Sequence, residues 1–140
     1  MQESKYQIKN WKRWKDSKRL LSQTKNELMK DIKAITYTNE LPGGKHSDIA
    51  SKYNKLIEDV KIYDEYIHAY DVLIWRLENA IATLLNEEQR KVIIIYANNS
   101  DSKKREDEAL KEGLSRTNFY AKLSESFNIL DSILVLNPKE

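Results

Sequence analysis

The clearest pattern of apolar and polar positions lies in the middle of the chain, where apolar residues recur every seven positions. Such a repeat, with two apolar positions in each of five heptads, is typical of a long helix with a coiled-coil face. The pattern predicts a helix over about 47–85, with Ser47 as its N-cap. The first apolar series is Tyr53, Val60, Ile67, Ile74 and Ile81, and the second is Ile49, Leu56, Tyr63, Tyr70, Leu77 and Leu84.

A weaker amphipathic pattern precedes the long helix. Apolar residues at spacings of three, four and seven predict one or two helices over about 5–37, and a break around Pro42 and Gly43 follows them. Either this segment folds back as an antiparallel hairpin, or a second copy of the chain covers the apolar seam. Lys18 and Lys25 interrupt the apolar face of the first segment. We therefore expect a local hairpin together with a homodimer or higher oligomer. The residues predicted for self-association are Val60, Tyr63, Ile67, Tyr70, Ile74 and Leu77.

The last third of the chain predicts three shorter helices. Asn86 is a suitable N-cap for the first, Gly113 ends the second, and Ser115 caps the third. The run Ile93–Ile95 alone is compatible with a strand, but the cap and the acidic first turn favour a helix. The predicted helices span about 87–97, 102–112 and 116–135.

Composition narrows the fold class and the classes of function. The chain has 3 Gly, 2 Pro and no Cys. Five glycines and prolines are too few to form the turns of a multi-stranded β protein. The absence of cysteine excludes a thiolate metal site and a disulfide. No apolar run predicts a membrane span or a signal peptide. We expect an all-α protein, with a helical hairpin and oligomerisation region over 1–85 and a smaller helical domain over 86–140.

The net charge of +2 is unevenly distributed. Residues 1–33 contain ten Lys and Arg against four Asp and Glu, and include the basic stretch between Trp11 and Trp14. This basic end is suited to an anion such as nucleic acid, and it is equally compatible with a solvated helix face. We expect at least one of the two tryptophans to pack on the long helix.

The segment from Ala109 to Leu123 meets the geometric needs of a helix-turn-helix. Ala109 is small, as required where two helices cross. Gly113, four positions later, suits the left-handed backbone conformation that ends the first helix. Leu114 is the apolar residue of the turn that packs into the core. Phe119 and Leu123 are the apolar residues that bury one face of the second helix. The positions left for an outer face are Arg116, Thr117, Asn118, Tyr120 and Lys122.

These outer side chains are suited to the edges of bases and to phosphates. We expect Arg116, Thr117, Asn118 and Tyr120 to approach base edges, and Lys122 to hold a phosphate. Three basic residues at the start of the preceding helix have the same expected phosphate role, namely Lys103, Lys104 and Arg105. A dimer would present two such helices to repeated half-sites of a duplex.

The same region resembles region 4 of sigma factors. The resemblance is carried by the segment Leu84–Tyr96, the roughly ten polar residues that follow it, and the Ala109–Leu123 motif. Over about 40–130, the chain is similar to phage late transcriptional regulators of the RinA-like and ArpU-like kind. These begin with helical segments, have a loop like the one before Ser47, and continue through a long central helix. The resemblance implies a DNA-binding transcription activator of phage late or packaging genes, which binds a promoter with host RNA polymerase in the bacterial cytoplasm.

Other functions have weaker support in the sequence. His46 and His68 are the only histidines and belong to no cluster of ligands, so no metal is expected. No phosphate loop or facing pair of carboxylates predicts an enzyme, a catalytic residue or a cofactor. The alternatives that stay open are a non-enzymatic coiled-coil adaptor or inhibitor and a small terminase-like DNA-binding subunit.

Overall fold

The computed structural model describes residues 3–39 and 46–134, with the backbone alone for 35–39 and 46–49. Its described part is entirely helical apart from turns, which confirms the all-α prediction. Ser47, the predicted N-cap of the long helix, lies within its first turn, and its side chain is outside the described part. The helices are α1 (Glu3–Asn39), α2 (His46–Leu84), α3 (Glu87–Asn98), α4 (Ser102–Lys111) and α5 (Arg116–Asp131).

The start of α3 shows why the isoleucine run forms a helix instead of a strand. The Asn86 side chain accepts a hydrogen bond from the Gln89 backbone N–H, and the Gln89 side chain accepts one from the Asn86 N–H, each at 2.9 Å. This capping box satisfies two N–H groups that a helix start otherwise leaves unpaired. Val92 and Ile93 then face the core, whereas Ile94 is 45% exposed. The one exposed residue within the apolar run follows helical periodicity.

The chain divides into two compact units, and each contains segments of both long helices. We call residues 15–72 the hairpin unit, and the described residues 3–14 and 73–134 the head unit. The head unit therefore combines both ends of the described chain. The predicted division between residues 85 and 86 stays a prediction.

Within the hairpin unit, α1 and α2 are paired by ion pairs at heptad spacing. Lys18 pairs with Asp71, and Lys25 pairs with Asp64. The two lysines are seven residues apart in one direction and their acids seven apart in the other, so the helices run antiparallel. The lysines that interrupt the apolar face of α1 are thus matched by acids on α2, and the local hairpin is present.

The six residues predicted for self-association lie in different environments. Val60, Tyr63, Ile67 and Tyr70 are half-buried in the hairpin unit. Ile74 is 9% exposed and Leu77 is fully buried in the head unit, where Leu77 is part of the chain's own core. Leu77 therefore offers no surface to a second copy, because the head unit already covers it.

One apolar core holds the head unit together. Leu77 and Ile81 on α2, and Leu85 directly after it, pack with the apolar faces of α3 and α5. Tyr96 and Phe127 meet edge to face, with ring centroids 5.2 Å apart. Trp11 and Trp14 are partly buried against this core, as expected for at least one of them. The fully buried side chains of the core, such as Phe119 and Leu130, fix the position of α5.

The first turns of α1 are held by the last turn of α5. The buried Ser4 hydroxyl donates to the Phe127 carbonyl at 3.0 Å, and the Ser4 N–H donates to Asp131 Oδ1 at 2.9 Å. The buried Gln7 amide donates to the Leu134 carbonyl at 3.1 Å. The Asp131 carboxylate thus satisfies an N–H that the start of α1 leaves unpaired, and two buried side chains of α1 bind carbonyls at the end of α5 and beyond it. These hydrogen bonds join residues more than 120 positions apart in the chain.

Candidate nucleic-acid interface

The turn between α4 and α5 has the hydrogen bonds of a Schellman motif. The Leu114 N–H donates to the Ala109 carbonyl at 2.9 Å, and the Gly113 N–H donates to the Leu110 carbonyl at 3.0 Å. Gly113 has a φ of +80°, the left-handed conformation that the sequence predicts for it. Ser115 then caps α5, because its side chain accepts from the Asn118 N–H at 3.2 Å. The turn fixes where α5 begins.

The predicted anchors of α5 are buried and its opposite face is open. Phe119 is fully buried and Leu123 is 5% exposed, whereas Arg116, Thr117 and Asn118 are exposed. The open face continues along α5 at helical spacing. Its further exposed residues are Ala121, Ser124 and Glu125. The middle of the face is therefore formed by short side chains, most of them polar, with one carboxylate and no cation.

Glu106 on α4 binds two of the predicted base-reading residues. The Arg116 guanidinium lies 3.1 Å from Glu106 Oε1, and the Tyr120 hydroxyl donates to the same oxygen at 3.1 Å. Tyr120 is half-buried, and the Arg116 side chain is 77% exposed. The sequence places an acidic run beside the motif, but spacing alone does not reveal that one carboxylate joins both side chains.

Lys122, the predicted phosphate contact, forms an ion pair with Glu88 of α3 at 2.7 Å. The hydrogen bond from Lys122 and its positive charge lower the pKa of the Glu88 carboxyl, and the same hydrogen bond and the Glu88 charge raise the pKa of Lys122. Both groups therefore stay charged near neutral pH. On the folded chain, each of the two basic residues of the predicted reading helix faces a carboxylate.

The three basic residues at the start of α4 are not alike. Lys103 and Lys104 are exposed. Arg105 is half-buried, with its guanidinium carbon 3.8 Å from the centre of the Tyr96 ring and its Nε donating to the Tyr96 carbonyl at 3.3 Å. Burial raises the pKa of the Tyr96 hydroxyl, and the charge of Arg105 opposes that rise. Arg105 is thus a fixed cation, while the two lysines are solvated.

The described residues contain neither a cluster of metal-ligand side chains nor a helix able to span a membrane. Among residues 3–39 and 46–134, no three His, Asp or Glu side chains converge as a metal site requires. Over the same ranges, no helix is both long and apolar enough to span a bilayer. Comparison with protein-family models, with curated proteins and with solved structures finds no match to this chain.

Proposed function

We propose that this protein is a transcriptional regulator that binds double-stranded DNA through the open face of α5. The observation that carries the proposal is the α4–α5 hairpin. Its Schellman turn at Gly113 and its buried anchors Phe119 and Leu123 leave Thr117, Asn118 and Ala121 exposed on one face. A helix held from behind, with short polar side chains in front, is suited to lie in a major groove.

The ion pairs on α5 are compatible with this proposal. Arg116 is largely exposed and is paired with Glu106 at 3.1 Å. Exposed ion pairs contribute about 0–1 kcal/mol, so the phosphates or bases of a duplex are able to replace the carboxylate as partner. The consequence is a lower affinity than for a fully basic motif, because each released carboxylate must be solvated again.

The finer parts of the proposal rest on the sequence resemblance. A phage promoter as target, activation of late or packaging genes, and contact with host RNA polymerase all follow from the resemblance, over about 40–130, to phage late transcriptional regulators of the RinA-like and ArpU-like kind. A homodimer on DNA follows from the seam of α2. The selected DNA sequence and the mass of the complex on it test these parts.

The experiment begins with selection of duplexes from a random library by the purified full-length chain. Binding of the selected duplex and of a scrambled duplex is then measured by fluorescence anisotropy at several salt concentrations. We expect Arg116→Ala and Asn118→Ala to lose about 1–3 kcal/mol of discrimination between the two duplexes, because base-edge contacts carry specificity. We expect Lys122→Ala to weaken both duplexes alike.

The matched control is Asn79→Ala, which removes an exposed asparagine from α2 in the same head unit. It should leave both affinities unchanged. Equal losses on both duplexes for Asn118→Ala would show that α5 does not read bases. If the library yields no enriched sequence and no duplex binds at low salt, the proposed function is wrong.

A protein-interaction function is the second candidate, because α2 exposes apolar residues in the hairpin unit. Ile62 is 49% exposed and Tyr66 is 57% exposed, and they lie one helical turn apart. Large exposed side chains of this kind are common where proteins associate. A chain that binds no duplex but self-associates in sedimentation experiments would favour this adaptor or inhibitor class.

A further inference from the structure

The head unit contains a cationic cleft formed by parts of the chain that are distant in sequence. We propose that this cleft binds a phosphate group, and that in the DNA complex the group is a backbone phosphate of the duplex. This second part rests on the proposed function. The cations that would bind the phosphate are Lys5 and Lys9 on α1 and Arg105 on α4.

The cleft has a volume of about 580 Å³ and contains no acidic residue in its lining. Besides the three cations, its walls carry the polar residues Asn99 and Ser102, which are able to donate hydrogen bonds to phosphate oxygens. Three cations facing a cavity without a carboxylate repel one another unless an anion lies between them. A phosphate provides both the negative charge and several acceptor oxygens for these donors.

The three cations differ in how they are held. Arg105 is fixed by the Tyr96 ring below it and by the Tyr96 carbonyl, which accepts from its Nε. These contacts occupy one face and one N–H of the guanidinium, which leaves its other N–H groups as possible donors to an anion. Lys5 and Lys9 form no ion pair with any residue described in the structure. In contrast, Lys122 and Arg116 on α5 each face a carboxylate.

The position of the cleft relates it to the open face of α5. Tyr120, Leu123 and Phe127 line the cleft. Of these, the half-buried Tyr120 lies beside the open face, whereas Leu123 and Phe127 belong to the buried core. Thr117, at the centre of the face, is about 60° around the helix from Tyr120, since each residue turns the helix by about 100°. A duplex with its groove on α5 would therefore bring a backbone strand beside the cleft. This arrangement assigns phosphate binding to the start of α1 and base reading to α5.

The first test compares salt dependence on the selected duplex for Lys5→Gln/Lys9→Gln and for Lys12→Gln/Arg13→Gln. The control pair removes the same charge from exposed positions of the same helix, in the same unit, outside the cleft. The slope of log K against log salt should fall by about 0.9 for each DNA phosphate that the cleft variant no longer binds. The control should keep the wild-type slope. Equal slopes for all three proteins would overturn the inference while leaving DNA binding intact.

The second test uses inorganic phosphate and is independent of DNA. Backbone amide signals of the wild-type chain are followed by NMR during titration with phosphate, against chloride at the same ionic strength. We expect the signals of Ser100, Ser102 and Arg105 to shift with phosphate and not with chloride, and we expect no such shifts in the Lys5→Gln/Lys9→Gln variant.

The two tests separate the two proposals. Phosphate shifts at the cleft in a chain that binds no duplex would support the cleft as a site for a small phosphorylated ligand and would refute the proposed function. Absence of phosphate shifts in such a chain would overturn both. A reduced salt slope confined to the cleft variant supports a DNA phosphate at Lys5 and Lys9.

Discussion

Gly113→Ala provides a direct test of the turn that positions α5. Gly113 has a φ of +80°, and a Cβ added there would meet no atom within 4 Å. The substitution therefore has no steric cost from neighbours, and its effect comes from the backbone alone. A left-handed L-residue costs about 1–2 kcal/mol. The lower entropy of the unfolded alanine chain offsets part of that cost, by about 0.4–1 kcal/mol.

The net expectation for Gly113→Ala is a decrease of about 1 kcal/mol in the free energy of unfolding. The chain offers a suitable probe, because Trp11, Trp14 and Trp75 all lie in the head unit. Tryptophan fluorescence during urea unfolding therefore follows the unit that contains the turn. The denaturation midpoint should fall while the slope of the transition stays constant, since the surface exposed on unfolding does not change.

Two further substitutions separate strain from side-chain size at this position. Gly113→Asn should cost less than Gly113→Ala, because asparagine tolerates the left-handed region better. A D-alanine, introduced by chemical ligation, should be at least as stable as wild type, because its Cβ is compatible with positive φ and constrains the unfolded chain. If L-alanine and D-alanine destabilise the unit equally, the backbone argument is refuted and a steric cause must replace it.

Two other substitutions test contacts that fix α5. Ser4→Ala should lower the free energy of unfolding of the head unit by about 0.5–1.5 kcal/mol, because a buried hydrogen bond to the Phe127 carbonyl is lost. Exposed Ser124→Ala is the control, and equal effects would contradict the role of this hydrogen bond. Lys122→Met should raise the pKa of Glu88 toward its ordinary value, as measured by carboxyl NMR titration. Because the folded pKa of Glu88 is lowered, the pair stabilises the fold above about pH 4.3, and this stabilisation disappears as the pH falls through the folded value. An unchanged Glu88 midpoint would show that the pair does not form in solution.

Local signals in the sequence predict most of the secondary structure. The caps at Asn86 and Ser115 and the left-handed Gly113 depend on a few neighbouring residues, and all three are where the sequence predicts them. The isoleucine run is correctly predicted as helical because its cap is local too. These features depend on short-range hydrogen bonds, which residue type and spacing largely determine.

The partners of charged residues are harder to predict, because they depend on tertiary register. Lys18 and Lys25 look like defects in the apolar face of α1 until Asp71 and Asp64 are placed opposite them. The sequence contains a signal for this pairing, because Asp64 and Asp71 have the same seven-residue spacing as Lys18 and Lys25. Finding it requires the register in which α1 and α2 pair, which the sequence of the intervening segment alone does not determine.

The candidate site differs from its sequence prediction for the same reason. The motif around Ser115 predicts which residues of α5 point outward, but it does not predict that Glu106 and Glu88 face the two cations beside them. Ser4 and Gln7 look like solvated residues of a basic helix, and only the folded chain buries them against the end of α5.

The burial of Ser4 and Gln7 suggests that the binding energy for DNA is divided between α1 and α5. The hydrogen bond from Ser4 to α5 places the next turns of α1, with Lys5 and Lys9, at the cleft beside the open face. If phosphate contacts supply most of the affinity for DNA, they need not come from the helix that reads the bases. A reading helix with short, nearly neutral side chains then contributes discrimination, while α1 and Arg105 contribute attraction. Substitutions on the open face of α5 should therefore change which sequence is bound more than the salt dependence, and substitutions at the start of α1 should do the reverse.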